Sequence, residues 1–259
     1  MQLDCDDARL TLDPRSGVLR ELSLRDSPKP LLEGAAGPFD LALPLPDELP
    51  HRLRIDESQL TSDVSQVGDE WHLRYDTLRS DRGAFQVSAV LRIRPSPGEG
   101  FAMRLAIVNH TPHVIPQVLF PHLVGLHPAG EPKEEELHLG RAIKRPHVWM
   151  TTPDGAANFY DLYRRWYFTY GMGEWNLKWF RLGDDRRGLA VFSKALHAEV
   201  QGLYIERDKR KPHLTASWAH YPHIAPGESW LSPEVVIQPH KGDWRIGLEI
   251  GRASCRERV

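Results

Sequence analysis

Apolar residues in this chain recur mainly at every second position, in short runs separated by glycine, proline and aspartate. Leu10 and Leu12 alternate with polar neighbours, Asp13-Pro14-Arg15-Ser16-Gly17 supplies a turn, and Val18 to Leu24 returns. That is the pattern of a β-hairpin. Trp71, Leu73 and Tyr75 fall on one side of a run whose other side carries Glu70, His72, Arg74 and Asp76. Phe85, Val87, Ala89, Leu91 and Ile93 repeat the alternation, as do Phe101, Met103, Leu105 and Ile107. Such a period of two marks strands with one buried and one wet face. The loop Pro95 to Gly100 is short enough to make the last two runs a hairpin. An all-β chain folded as an antiparallel β-sandwich of two packed sheets is the expectation.

Other stretches are less regular. Ser27 to Gly37 is rich in proline and glycine and reads as a loop, and Pro38 to Leu45 reads as a short edge strand because Pro44 cannot donate to a ladder. Asn109 to Val124 keeps strand character around Val118 and Phe120 but is broken by Pro112, Pro116 and Pro121, which predicts an edge or a change of sheet. Glu131 to Glu136 reads as a solvated loop. Leu177 to Leu182 and Leu189 to Ser193 flank Gly183 to Gly188 as a further hairpin, and Ala198 to Glu206 leads on from it. Leu214, Ala216 and Trp218 alternate in a strand that ends at the turn Ala225-Pro226-Gly227-Glu228, and Trp230 to Ile237 follows. Gln238 to Trp244 carries chain-breaking residues, after which Trp244 to Leu248 reads as the start of a helix.

Composition narrows the partners. Lys and Arg total 33 against 35 Asp and Glu, a formal net charge of −2, which gives no electrostatic case for nucleic acid or an anionic membrane. No apolar run approaches the roughly 18 residues that span a bilayer, and Met1 to Asp7 is too polar for a secretory signal. A cytoplasmic location is expected. The last eleven residues, Glu249 to Val259 (EIGRASCRERV), resemble the translation of a short-read sequencing adapter and are read as a non-native tail. This leaves Cys5 as the one native cysteine, with no intrachain disulfide.

Phe159 to Phe180 holds ten aromatic residues in 22 positions. Aromatic faces stack on sugar rings, so this segment reads as a sugar platform, as core packed against a neighbouring domain, or as core alone. His110-Thr-Pro-His113 and His220-Tyr-Pro-His223 share a spacing, but their prolines exclude the helical geometry of a zinc-binding HExxH motif. The pairs Asp6-Asp7 and Asp184-Asp185 fall in a terminus and a turn and are expected to face solvent. No nucleophile elbow, phosphate loop or dinucleotide fingerprint is present. Neither a metal nor a cofactor is expected, and no catalytic residue.

Leu12-Asp13-Pro14-Arg15-Ser16-Gly17-Val18-Leu19, Val118 to Leu126, Gly202-Leu203-Tyr204 and Gly242-Asp243-Trp244 resemble, in their order, landmarks of the N-terminal galactose-mutarotase-like β-sandwich, or supersandwich, of bacterial glycoside-hydrolase-like proteins of unknown function. The resemblance spans about residues 9 to 248. It implies a sandwich over 1–241, the start of a following domain over 242–248, and a tail over 249–259. It also implies that a TIM-barrel partner domain, absent from this sequence, carries the catalytic carboxylates. The sandwich would then support that barrel and contact glycan, and Trp179, Trp218 and Tyr221 are the expected contact residues. An alternative is a stand-alone aldose 1-epimerase: Asn109-His110-Thr111 is similar to the Asn-His element of mutarotases, although Pro112-His113-Val114 stands where Tyr-Phe-Asn should follow. A purely structural sandwich without ligand is the third reading.

Overall fold

A computed structural model describes residues 1–130, 135–139, 147–149, 165–169, 178–195, 199–207 and 213–247. The expected all-β antiparallel sandwich is what forms. One ten-stranded sheet runs in the order Gln2–Cys5, Ala8–Leu12, Leu19–Leu24, Leu32–Ala36, Gln117–Leu126, Leu214–His220, Gln201–Arg207 and Arg165–Thr169. The hairpin of Asp40–Leu45 and Glu48–Arg54 branches from Gln117–Leu126. The second ten-stranded sheet runs His147–Trp149, Glu136–Leu139, Trp179–Gly183, Arg187–Ser193, Val235–Lys241, Gly100–Asn109, Val87–Ser96, Glu70–Tyr75 and Asp63–Val67, with Ser229–Leu231 also paired to Gly100–Asn109.

The alternation read from the sequence sets which side chains lie between the sheets. Leu91, Ile93, Phe101, Met103, Leu105 and Ile107 from the second sheet meet Val118, Phe120, Leu203, Ile205 and Trp218 from the first in one buried cluster. Phe180 and Trp218 join the two sheets, ring centroids 6.0 Å apart. Removing these side chains from water is the main favourable contribution to folding. The predicted turn at Asp13 to Gly17 is closed by the Gly17 amide donating to the Asp13 carbonyl at 2.7 Å. Tyr75 anchors it from the opposite sheet by donating to the Ser16 carbonyl at 3.1 Å.

Proline and glycine lie within strands in several places. Leu32–Ala36, inside the stretch expected to be a loop, is a strand paired to Leu19–Leu24. Asp40–Leu45 is not an edge strand: it pairs with Gln117–Leu126 on one side and Glu48–Arg54 on the other. Residues 110–116 carry the chain from the second sheet to the first, the predicted change of sheet. Gln117–Leu126 then lies in the middle of its sheet rather than at an edge, with Pro121 accommodated where the register with Leu214–His220 shifts. The strand expected over Trp230 to Ile237 is two, Ser229–Leu231 and Val235–Lys241, and the second continues through Pro239. Between them, Ser232 accepts from the Leu105 amide at 2.9 Å.

Residues 244–247 form one helical turn, and Trp244 packs against Ala102, Trp179, Ala190, Phe192 and Val236 on the outer face of the second sheet. Among the described residues no helix is long and apolar enough to cross a membrane.

Candidate functional site

Polar side chains gather on the outer face of the first sheet, the side turned away from the core. Residues directly opposite one another across adjacent strands share a face, so the pairing register lists what stands together. One row across six strands reads Arg54, Asp40, Leu119, Ala219, Gly202, Thr169. The parallel row, beyond the register shift, reads His122, Ser217, Tyr204, Tyr167. Small residues at Ala42, Ala219 and Gly202 leave room for long side chains to lie along the sheet instead of standing on it.

A hydrogen-bonded chain crosses this face. Arg52 donates from Nε to Asp40 Oδ1 at 2.8 Å and from Nη1 to Gln117 Oε1 at 2.8 Å. Gln117 Nε2 donates to the Tyr204 hydroxyl at 3.5 Å. The Tyr221 hydroxyl lies 3.4 Å from that of Tyr204 and 3.1 Å from that of Tyr167. The rings of Tyr167 and Tyr204 are 4.7 Å apart, centroid to centroid. Tyr167 and Tyr221 are exposed, Tyr204 half-buried. The result is an aromatic ledge with hydroxyls along one margin.

Charge on this face is concentrated at Asp40. Its carboxylate is buried and flanked by two guanidiniums, Arg52 at 2.8 Å and Arg54 at 3.5 Å. Burial pushes the Asp40 pKa up to about 6, against the opposing pull of Arg52 and Arg54. His122 shares a 2.7 Å hydrogen bond with Ser217 through Nδ1. Loss of surrounding water, then the nearby Arg52 and Arg54, push its pKa down to about 3, so the ring is neutral at physiological pH. Burial raises the Tyr221 phenol above its ordinary pKa, assisted by the hydrogen bonds from Tyr167 and Tyr204.

The three residues expected to contact glycan are not together. Tyr221 is on the ledge. Trp218, on the adjoining strand, points inward: it is 0 % exposed and donates from its indole to Gln201 Oε1 at 3.1 Å. Trp179, 3 % exposed, belongs to the cluster beneath Trp244 on the other sheet. Neither indole presents an exposed face. Of the aromatic segment 159–180, Phe159, Tyr160, Tyr163, Tyr170 and Trp175 lie outside the described residues. His110 is exposed at the end of Gly100–Asn109, on the second sheet, while Asn109 is buried and donates to the carbonyls of His113 and Ile224 at 2.7 and 3.0 Å. The Asn-His element therefore ties two loops together. His220 is buried, 2.8 Å from the Phe120 carbonyl oxygen. Asp184 is also buried, against expectation, because its carboxylate accepts the Arg186 and Arg187 amides within the turn. Among the described residues no three His, Cys, Asp or Glu side chains are grouped to hold a metal ion.

Asp40, Arg52, Gln117 and His122 escaped the sequence reading. The signal that could have found them is the outward position of polar residues in strands that later prove central to a sheet, which requires the strand order.

The fold is that of the galactose-mutarotase-like β-sandwiches. No protein-family model matches the chain, and no curated protein sequence does. Solved structures match at the level of fold. An α-N-acetylgalactosaminidase from Bifidobacterium bifidum, in complex with GalNAc, superposes with a TM-score of 0.64 at 12% identity, over 100% of this chain and 39% of that one. A galactose mutarotase-like protein from Lactobacillus casei superposes with a TM-score of 0.59 at 9% identity, over 93% of this chain and 99% of the other. A candidate aldose 1-epimerase from Escherichia coli K12 gives 0.55 at 13% identity, covering 93% and 98%. The chain thus has the extent of the smaller proteins and spans well under half the length of the galactosaminidase.

Proposed function

We propose that the chain is a carbohydrate-associated β-sandwich that binds sugar on the outer face of its first sheet. The observation that carries this reading is the hydrogen-bonded chain from Asp40 through Arg52, Gln117 and Tyr204 to Tyr221 and Tyr167. It sets fixed donors and acceptors beside two exposed aromatic rings, and sugars offer both hydroxyls for the former and C–H faces for the latter. The fold shared with a galactosaminidase and with mutarotase-like proteins is in keeping with it. In this reading the chain acts as a non-catalytic domain that supports a catalytic barrel and presents glycan to it. The test is calorimetric titration of the chain with mono- and oligosaccharides. Binding that weakens at least tenfold in Gln117→Ala is expected; binding unchanged by that substitution would place the sugar elsewhere.

One observation favours a second reading, an aldose 1-epimerase-like enzyme. His122 is neutral, and its Nε2 has no partner among the described residues, on the same face as the Asp40 carboxyl. Mutarotation needs a group to take the proton from the anomeric hydroxyl and another to protonate the ring oxygen, and a neutral imidazole can do the first while the protonated fraction of Asp40, whose pKa is about 6, does the second. Polarimetry on freshly dissolved α-galactose and α-glucose separates the readings. Acceleration lost in His122→Ala supports the enzyme, and no acceleration by the intact chain rejects it.

A further inference from the structure

Two guanidiniums, Arg52 and Arg54, flank the Asp40 carboxylate. Arg52 commits Nε to Asp40 and Nη1 to Gln117, while its Nη2 is buried without a hydrogen-bond partner. Arg54 reaches Asp40 at 3.5 Å and leaves two-thirds of its side chain exposed. His122, beside both, keeps Nε2 unpartnered among the described residues. Glu206 is a further acid that acts on Asp40, more weakly than either arginine. A buried guanidinium nitrogen without an acceptor carries a desolvation cost that a bound anion removes, and the arginine fork suits a carboxylate or phosphate.

Resting on the sugar-binding reading, we infer that the ligand is an anionic sugar. Its carboxylate or phosphate is received by Arg52 Nη2, Arg54 and His122 Nε2, and its ring lies toward the ledge of Tyr167 and Tyr221. Gln117 alone stands between the Arg52 guanidinium and the Tyr204 hydroxyl, so the charged pocket and the aromatic ledge are within reach of one hexose bearing a charged substituent. A neutral sugar would offer Arg52 Nη2 only an uncharged hydroxyl oxygen, a weaker acceptor than a carboxylate or phosphate. The carboxylate and phosphate forms share this chemistry and differ in the size and charge of the group to be accommodated.

Calorimetric titration of the full chain in 0.15 M salt tests it with glucose, galactose, glucuronate, galacturonate, glucose 6-phosphate, galactose 6-phosphate and inorganic phosphate. At least one anionic sugar is expected to bind tenfold or more tightly than its neutral parent, with that advantage lost in Arg54→Gln and reduced at 0.5 M salt. Preference for the uronates identifies a carboxylate pocket, and preference for the sugar phosphates a phosphate pocket. Neutral sugars binding as tightly as their anionic forms overturns the inference and leaves the sugar-binding reading standing. An advantage that persists in Arg54→Gln overturns it as well. If no sugar binds, both fail.

Discussion

The ring of Tyr167 lies across Gly202 on the neighbouring strand, so that a β-carbon at Gly202 would fall 2.3 Å from the ring. Glycine at this position is what allows the phenol to lie along the sheet and reach Tyr221. The neighbour displaced by an added methyl is an exposed side chain, which can swing away. Gly202→Ala is therefore expected to change unfolding free energy by less than about 1 kcal/mol, while detaching Tyr167 from Tyr221 and weakening sugar binding. Urea denaturation and calorimetric titration on the same variant check the two halves.

Gly17 behaves in the opposite way. Its φ is +76°, and a β-carbon there would sit 1.8 Å from the Tyr75 hydroxyl inside the core. Gly17→Ala meets both backbone strain and an immovable neighbour, so a loss of about 2–4 kcal/mol is expected. Tyr75→Phe removes the bond to the Ser16 carbonyl and is expected to cost about 1 kcal/mol. In the double variant the added methyl no longer meets a hydroxyl, so the combined loss should be smaller than the sum. Urea midpoints of the four proteins give the comparison.

Acid should destabilise the chain well above the carboxylate range. Burial lowers the folded pKa of His122 to about 3 and of His220 and His240 to about 4, from 6.5. Between those limits the unfolded chain takes up protons that the native state refuses, so stability falls as pH falls below 6.5. Asp40 acts in reverse. Its proton is held up to about pH 6 when folded and released near 3.8 when unfolded, so its contribution declines as pH rises through that window. Three groups oppose one, each contributing up to roughly 1.4 kcal/mol per pH unit. Stability measured by urea unfolding is expected to be clearly lower at pH 5 than at pH 7, with a shallower dependence in His220→Gln.

Trp218 and Tyr221, three residues apart, should separate stability from binding. Trp218→Phe loses the indole bond to Gln201 and part of a fully buried ring, a cost of about 1–3 kcal/mol, with the sugar dissociation constant unchanged. Tyr221→Ala is expected to leave the unfolding midpoint nearly where it was and to reduce sugar affinity at least fivefold. A Trp218→Phe variant that folds normally but fails to bind would return the indole to the site.

How far this was legible in the sequence depends on the kind of information each feature needs. Alternation at Glu70 to Asp76 and at Phe101 to Ile107 exposed the strands and their buried faces, because one period fixes both. The turn at Asp13 to Gly17 was equally plain, since its residues act locally. Leu32–Ala36 was hidden by the prolines and glycines around it, and Asp40–Leu45 was misplaced at an edge because Pro44 falls at the strand's end, where no ladder bond is lost. The candidate site was less legible still. Tyr221 could be singled out as an aromatic near a turn, but Asp40, Arg52, Gln117 and His122 meet only through a strand order that no local pattern encodes. The burial of Trp218 has a related cause: its strand alternates, and the inward parity belongs to Leu214, Ala216 and Trp218 alike.

The central claim, that sugar binds on the outer face of the first sheet, is tested most directly by tyrosine-selective carbon-13 labelling and nuclear magnetic resonance during sugar titration. The ring signals of Tyr167, Tyr204 and Tyr221, each assigned through its phenylalanine variant, should shift together and saturably, while that of Tyr75, enclosed in the core, stays in place. A sugar that binds by calorimetry while the three ledge tyrosines remain unmoved would contradict the account.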